Sequence, residues 1–106
     1  MAKPRRCFLY ADKRVEASKF LIEGGKPEVG VTTAVKGEKY LNDAVNEIIQ
    51  AKENGQDVSY IESKVKTSIA AHLQLLEQLQ QHSPEMFAAL KEAIDINKST
   101  TTLLPQ

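Results

Sequence analysis

Three short breaks rich in glycine, asparagine or proline divide the chain into four stretches, each with helical spacing of its apolar residues. The breaks are residues 24–27 (Gly-Gly-Lys-Pro), 54–57 (Asn-Gly-Gln-Asp) and 82–84 (His-Ser-Pro). Glycine ends many helices, and proline fits the first turn of the next one. Short connections make consecutive helices antiparallel. The sequence therefore predicts an all-α, antiparallel up-down bundle of three long helices plus a shorter fourth, without strands.

The breaks also predict where the helices begin and end. The first helix should span about residues 4–23, the second should run from Pro27 to about residue 54, and the fourth should end near residue 98. Asp57 is expected to cap the third helix, because its carboxylate can accept a hydrogen bond from a backbone N–H two or three residues later. We expect residues 1–98 to form a single helical bundle domain and residues 99–106 a flexible C-terminal tail.

One apolar stripe on each helix predicts the core. Glu38 and His72 lie on these stripes, and we expect His72 to be a core histidine bonded to a neighbouring helix, with a ligand or pH-sensing role as the alternative. The inward-facing positions are Phe8, Ala11, Val15, Ser18 and Ile22; Val31, Ala34, Glu38, Leu41, Val45 and Ile48; Val58, Ile61, Val65, Ile69, His72, Leu76 and Leu79; and Phe87, Leu90 and Ile94.

Two glycines lie inside the second predicted helix, where each costs about 1 kcal/mol relative to alanine. They are Gly30 and Gly37. Close packing of a neighbouring helix would explain them, and a kink is the alternative.

No group of residues has the spacing that catalysis or metal binding requires. Di-metal sites in helical bundles use Glu-x-x-His, but the residues three before His72 and His82 are Ile69 and Leu79. Cys7 is the only cysteine and lies in an apolar stretch far from both histidines in sequence. We therefore expect no catalytic residue, no metal ligand and no cofactor, and we interpret the chain as non-enzymatic.

Four apolar or aromatic residues fall beside the main stripes of the second and third helices and are candidate contacts for a protein partner. They are Tyr40, Ile49, Tyr60 and Leu75. The alternative is that they are scattered surface residues or additional core.

Charge is balanced overall but unevenly distributed. The chain has 14 basic and 14 acidic residues, which argues against general attraction to nucleic acid or an anionic membrane. Residues 1–26 nevertheless carry a net charge of +4 and the remainder −4. Intramolecular complementarity explains this, and a site for nucleic acid or an acidic ligand is the alternative. The candidate contacts for such a ligand are Arg5, Arg6, Lys13 and Arg14.

Several segments together resemble a prokaryotic helical family called domain of unknown function 5667. The segments are residues 10–17 (Tyr-Ala-Asp-Lys-Arg-Val-Glu-Ala), 22–28 (Ile-Glu-Gly-Gly-Lys-Pro-Glu), 51–57 (Ala-Lys-Glu-Asn-Gly-Gln-Asp) and 71–77 (Ala-His-Leu-Gln-Leu-Leu-Glu). The resemblance covers about residues 8–98 and implies a helical domain without an assigned activity, often embedded in larger envelope or secreted proteins. The second helix departs from the family in being poorer in acidic residues.

The sequence thus predicts a protein-interaction or structural module, either self-associating or part of a larger envelope-associated assembly. The alternative is a small nucleic-acid or acidic-ligand binder that uses the basic first helix. No stretch is apolar and long enough for a membrane span. The compartment stays open, because the resemblance allows an extracytoplasmic setting if a leader has been removed.

Overall fold

The chain folds into four α-helices, as predicted from the breaks. The computed structural model describes the backbone of residues 2–104 and the side chains of residues 6–104, and this part of the chain contains no strand. A short 3-10 turn precedes the last helix. The helices are α1 (Ala2–Glu23), α2 (Pro27–Glu53), α3 (Ser59–His82) and α4 (Phe87–Thr101), and the 3-10 turn is Pro84–Met86. The all-α prediction is confirmed.

Two apolar clusters at opposite ends of the bundle show that successive helices alternate in direction. The first cluster joins Ala11 to the second half of α2, the first half of α3 and Leu104. The second cluster joins Ile22 to the start of α2, the end of α3 and the start of α4. The bundle is elongated, with extents of 46 × 23 × 16 Å. All the predicted stripe positions of α3, from Val58 to Leu79, are buried.

Close contact between α1 and α2 explains the two glycines inside α2, which runs unbroken from Pro27 to Glu53. A Cβ atom at Gly30 would lie 2.9 Å from the backbone oxygen of Ser18 and 2.6 Å from a side-chain carbon of Ile22. At Gly37 it would lie 2.9 Å from a methyl carbon of Val15. These distances leave no room for a larger residue, so the interpretation of close packing is confirmed.

The loops use the residues that the sequence analysis identified. Gly25 and Gly55 have φ angles of +90° and +82°, the left-handed conformation that favours glycine. Asp57 Oδ1 accepts hydrogen bonds from Ser59 N–H at 3.0 Å and Ser59 Oγ at 2.7 Å. The predicted hydrogen bond to the Asp57 carboxylate is therefore present, but the N-cap of α3 is Val58 and Asp57 lies one residue before it.

The structure differs from the prediction in the fourth helix and the tail. Phe87 is 54% exposed and not inward-facing, because Met86, four residues before Leu90, contacts the second apolar cluster in its place. The helix also continues past residue 98 to Thr101. Thr100 and Leu104 are buried, Leu104 in the first apolar cluster, whereas Ser99, Thr102 and Leu103 are exposed, so the segment after residue 98 is anchored to the bundle at two positions. Residues 105 and 106 lie outside the described part of the chain.

None of the described helices combines the length and apolar character needed to cross a membrane.

Candidate functional site

A layer of polar side chains lies inside the bundle, and every helix contributes to it. Glu38 on α2 and Asn97 on α4 are fully buried, and His72 on α3 is 5% exposed. Asp12 on α1 is partly exposed and contacts His72. Ser68, one turn before His72, completes the layer. Helical spacing explains this placement, because Glu38, His72 and Asn97 continue the inward stripes of their helices.

His72 lies between two carboxylates from different helices. Its Nε2 is 2.8 Å from Asp12 Oδ1, a hydrogen bond between α3 and α1. Its Nδ1 is 3.3 Å from Glu38 Oε1, close enough for an ion pair but without the alignment of a hydrogen bond. The Ser68 hydroxyl donates to the other oxygen of Asp12 at 3.3 Å. The expectation of a core histidine bonded to a neighbouring helix is confirmed.

Asn97 connects α4 to the same layer. Its Nδ2 donates to the backbone oxygen of Ile69 at 3.0 Å and lies 3.4 Å from Glu38 Oε1. Two buried oxygens, Glu38 Oε2 and Asn97 Oδ1, have no hydrogen-bond partner among the described protein atoms. One turn after Asn97, Thr100 Oγ1 of α4 accepts a hydrogen bond from Asn42 Nδ2 of α2 at 3.0 Å. The layer thus ties α3, α2 and α4 together.

The two carboxylates favour the protonated form of His72. Burial acts against a charged ring, but the hydrogen bond to Asp12, the nearby Glu38 and the negative charges of both outweigh burial and raise the pKa of His72 from 6.5 to about 9. At neutral pH the ring is therefore an imidazolium. Both nitrogens of an imidazolium carry protons, so His72 has no lone pair with which to act as a general base.

The arrangement does not resemble a nucleophilic or metal centre. The Ser68 hydroxyl donates to Asp12 and not to His72. Within the part of the chain that the structure describes, no three histidine, cysteine or acidic side chains are placed to hold a metal ion. The contacts that the structure shows in this layer are hydrogen bonds and ion pairs between helices.

A surface groove of about 450 Å³ lies between the first half of α1 and the start of α3. Asp12 belongs both to this groove and to the buried layer, so the layer reaches the surface there. The opposing walls expose Leu9 (46%) and Tyr60 (75%), and Lys64 Nζ lies 5.4 Å from the centre of the Tyr60 ring. The groove is lined by Phe8, Leu9, Asp12, Asp57, Tyr60, Ile61 and Lys64.

The four predicted protein contacts lie in different environments. Tyr60 is exposed and lines the groove. Tyr40 and Ile49 are half-buried against the first apolar cluster, and Leu75 is half-buried against the second. The structure therefore places Tyr60 at the groove, whereas the other three contribute to packing.

The predicted basic contacts are also separated by their environments. Arg6 and Lys13 are exposed. Arg14 is half-buried, and its guanidinium carbon lies 4.7 Å from the Tyr40 ring centre and 5.8 Å from that of Tyr10. The side chain of Arg5 lies outside the described residues. Arg14 thus has an intramolecular role that the sequence analysis did not identify.

The sequence analysis missed Asp12, Ser68 and Asn97 as members of the polar layer. Helical spacing contains a signal for Asn97, because it follows Leu90 and Ile94 at the intervals of the same stripe. Asp12 follows Phe8 by four residues in the same way. Their pairing with His72 and Glu38 depends on how far each helix is shifted along the bundle axis relative to the others. Local sequence patterns do not encode these shifts.

The sequence matches no protein-family model, and searches of curated proteins and of solved structures give no match either.

Proposed function

We propose that this chain is a non-enzymatic helical module that binds protein, either within a larger envelope-associated assembly or by self-association. The observation that carries the proposal is the groove between α1 and α3, which presents Leu9 and the largely exposed ring of Tyr60 to solvent. Exposed aromatic side chains beside a concave apolar surface are typical of protein-binding sites. The envelope setting rests on the resemblance to domain of unknown function 5667.

The state of His72 supports a binding role over a catalytic one. His72 is held as an imidazolium between Asp12 and Glu38, and its side chain is only 6% exposed. A general base needs an available lone pair within reach of substrate, and His72 offers neither. We expect the polar layer instead to select one arrangement of the four helices, which leaves the surface for recognition.

Site-specific photo-crosslinking tests the proposal. A benzophenone amino acid in place of Tyr60 should crosslink the chain to one discrete protein in the cells from which the chain comes. The matched control is position 92, because Glu92 is exposed on α4, which packs against α2 and α3. A covalent dimer of the chain would identify self-association, and a different protein would identify an assembly partner. Equal crosslinking at both positions, or none at position 60, would contradict the proposal.

A further inference from the structure

We propose that the groove between α1 and α3 accepts an arginine side chain of the partner protein, with the alkyl part against Leu9 and Tyr60 and the guanidinium beside Asp57 and Asp12. This inference rests on the proposed protein-binding function and specifies the chemistry that the partner must present.

The walls of the groove suit the alkyl part of a long cationic side chain. Phe8 and Leu9 come from α1, and Tyr60 and Ile61 come from α3. Arginine buries its methylene groups along apolar surface while its charged end stays at a polar edge. The volume of about 450 Å³ falls within the range of small-ligand sites, so one such side chain fits with neighbouring atoms of its backbone.

The groove is lined by two carboxylates, those of Asp12 and Asp57, and by one ammonium, that of Lys64, so carboxylates are in excess by one. Asp12, Glu38 and His72 together contain one more carboxylate than cations, and Glu38 and His72 are shielded from water. The Asp12 side chain is 36% exposed and lines the groove, so it is the member of this group that faces solvent, although its two oxygens already contact His72 and Ser68.

Asp57 adds a second carboxylate at the same groove. Hydrogen bonds from the backbone and side chain of Ser59 lower the pKa of Asp57, so this carboxylate is ionised at neutral pH. Both bonds use Oδ1. A guanidinium forms charge-assisted hydrogen bonds with carboxylates, often through two parallel N–H groups.

The Tyr60 ring already has a cation beside it, the ammonium of Lys64 one turn later on α3, which an incoming guanidinium has to displace. Lys64 Nζ lies 5.4 Å from the centre of the Tyr60 ring, at the distance of a cation–π interaction. Arginine is the better partner for this groove, because its planar guanidinium both stacks on an aromatic ring and pairs with a carboxylate.

Two other surface depressions lack this combination. The one between the end of α2 and the start of α3 is bordered by Leu103 and Leu104 of the chain itself. The other, between α2 and α4, is lined mainly by polar and charged residues such as Asn42, Lys91 and Asp95. The groove at Tyr60 is therefore the better match to a side chain with an apolar stem and a cationic end.

The test is an NMR titration of the full chain with the blocked tripeptide acetyl-Leu-Arg-Leu-amide. The matched probe contains citrulline, a neutral isostere of arginine. We expect saturable amide shifts concentrated in residues 8–12 and 57–64. The citrulline peptide should bind with an affinity at least about five-fold lower than that of the arginine peptide. This ratio of affinities should decrease as the salt concentration rises. The variants Tyr60→Ala and Asp57→Asn should each weaken arginine-peptide binding, whereas Glu92→Gln on α4 should not.

The outcomes separate this inference from the proposed function. Equal binding of the arginine and citrulline peptides, or shifts centred outside the groove, would overturn the inference even if crosslinking at position 60 identifies a protein partner. Circular dichroism of each variant shows whether it is folded. If Tyr60→Ala is unfolded, the comparison of the two peptides on the unsubstituted chain still decides the question.

Discussion

His72 shows at the scale of one residue how a charged group can be accommodated inside a small helical bundle. The ring contacts Asp12 of α1 and Glu38 of α2 at 2.8 and 3.3 Å, while its own helix is α3. A buried ion pair is not strongly stabilising compared with an apolar core, but removing one partner leaves the other charges uncompensated. The three groups therefore depend on each other.

Replacing His72 alone should destabilise the fold strongly. His72→Leu leaves Asp12 and Glu38 without a counterion, and we expect a loss of about 3–5 kcal/mol in the free energy of unfolding, measured by urea denaturation. The matched control is His82→Leu, which alters an exposed histidine at the end of the same helix and should change stability by less than about 1 kcal/mol.

A double substitution separates loss of charge compensation from loss of packing. The variant that combines His72→Leu with Glu38→Leu should be more stable than His72→Leu alone, because the fully buried carboxylate is then absent. Additive losses from the two substitutions would contradict the coupling.

At the scale of helices, close approach and terminal packing decide how the elements fit together. Gly30 lies where the backbone of α1 leaves no space for a Cβ atom, and Leu104 continues the core beyond the end of α4. The effect of both residues on stability comes from contacts with other helices and not from the helix or turn to which they belong. Helix propensity alone therefore gives the wrong sign for a substitution at Gly30.

Gly30→Ala should destabilise the protein although alanine favours helix by about 1 kcal/mol. The added methyl carbon would approach the Ser18 oxygen at 2.9 Å and force α1 and α2 apart. We expect a net loss of about 1–2 kcal/mol in thermal or urea unfolding. The control is Thr32→Ala in the exposed part of α2, which should raise stability by about 0.5 kcal/mol. A stabilised Gly30→Ala variant would refute the packing argument.

The C-terminal leucines provide a matched pair for testing whether the chain after α4 belongs to the core. Leu104 is 5% exposed and Leu103 is 41% exposed. Leu104→Ala should lower the free energy of unfolding by about 2 kcal/mol, and Leu103→Ala by less than about 0.5 kcal/mol. Similar small effects of both substitutions would mean that the end of the chain does not pack as described.

At the scale of the whole molecule, two apolar clusters are separated by a polar layer to which all four helices contribute. Apolar contacts are non-directional, whereas hydrogen bonds and ion pairs require particular heights and rotations of the helices. We expect the layer to select one register of the bundle among several that would bury similar apolar area.

Replacing the layer with apolar residues tests this role. The combined variant Asp12→Leu, Glu38→Met, His72→Leu and Asn97→Leu should unfold at a similar or higher temperature but should show broadened, poorly dispersed amide NMR signals. Sharp signals with the same long-range contacts would show that apolar packing alone determines the register.

Much of this architecture could be predicted from sequence, because caps and apolar stripes are local signals. The breaks located the helix ends, and the stripes of α2 and α3 placed Glu38 and His72 inside. The pairing of His72 with Asp12, the exposure of Phe87 and the burial of Leu104 depend on the relative positions of separate helices. The groove at Tyr60 was likewise missed, because its width depends on how far α1 and α3 stand apart.

The charge on His72 links the polar layer to pH. Its pKa is raised from 6.5 to about 9 on folding, so its stabilising contribution is fully present below about pH 6.5 and is lost as the pH rises through 9. This difference corresponds to about 3 kcal/mol, and the unfolding free energy of the unsubstituted chain should fall over that range relative to a His72→Leu variant.

The most direct test of whether His72 is held as a cation between Asp12 and Glu38 is an NMR titration of its imidazole between pH 5 and 11, with the signal assigned by its loss in His72→Leu. We expect a midpoint at about pH 9 and an imidazolium with both nitrogens protonated at neutral pH. A midpoint at or below 6.5 would mean a neutral ring with an available lone pair, and would contradict the account.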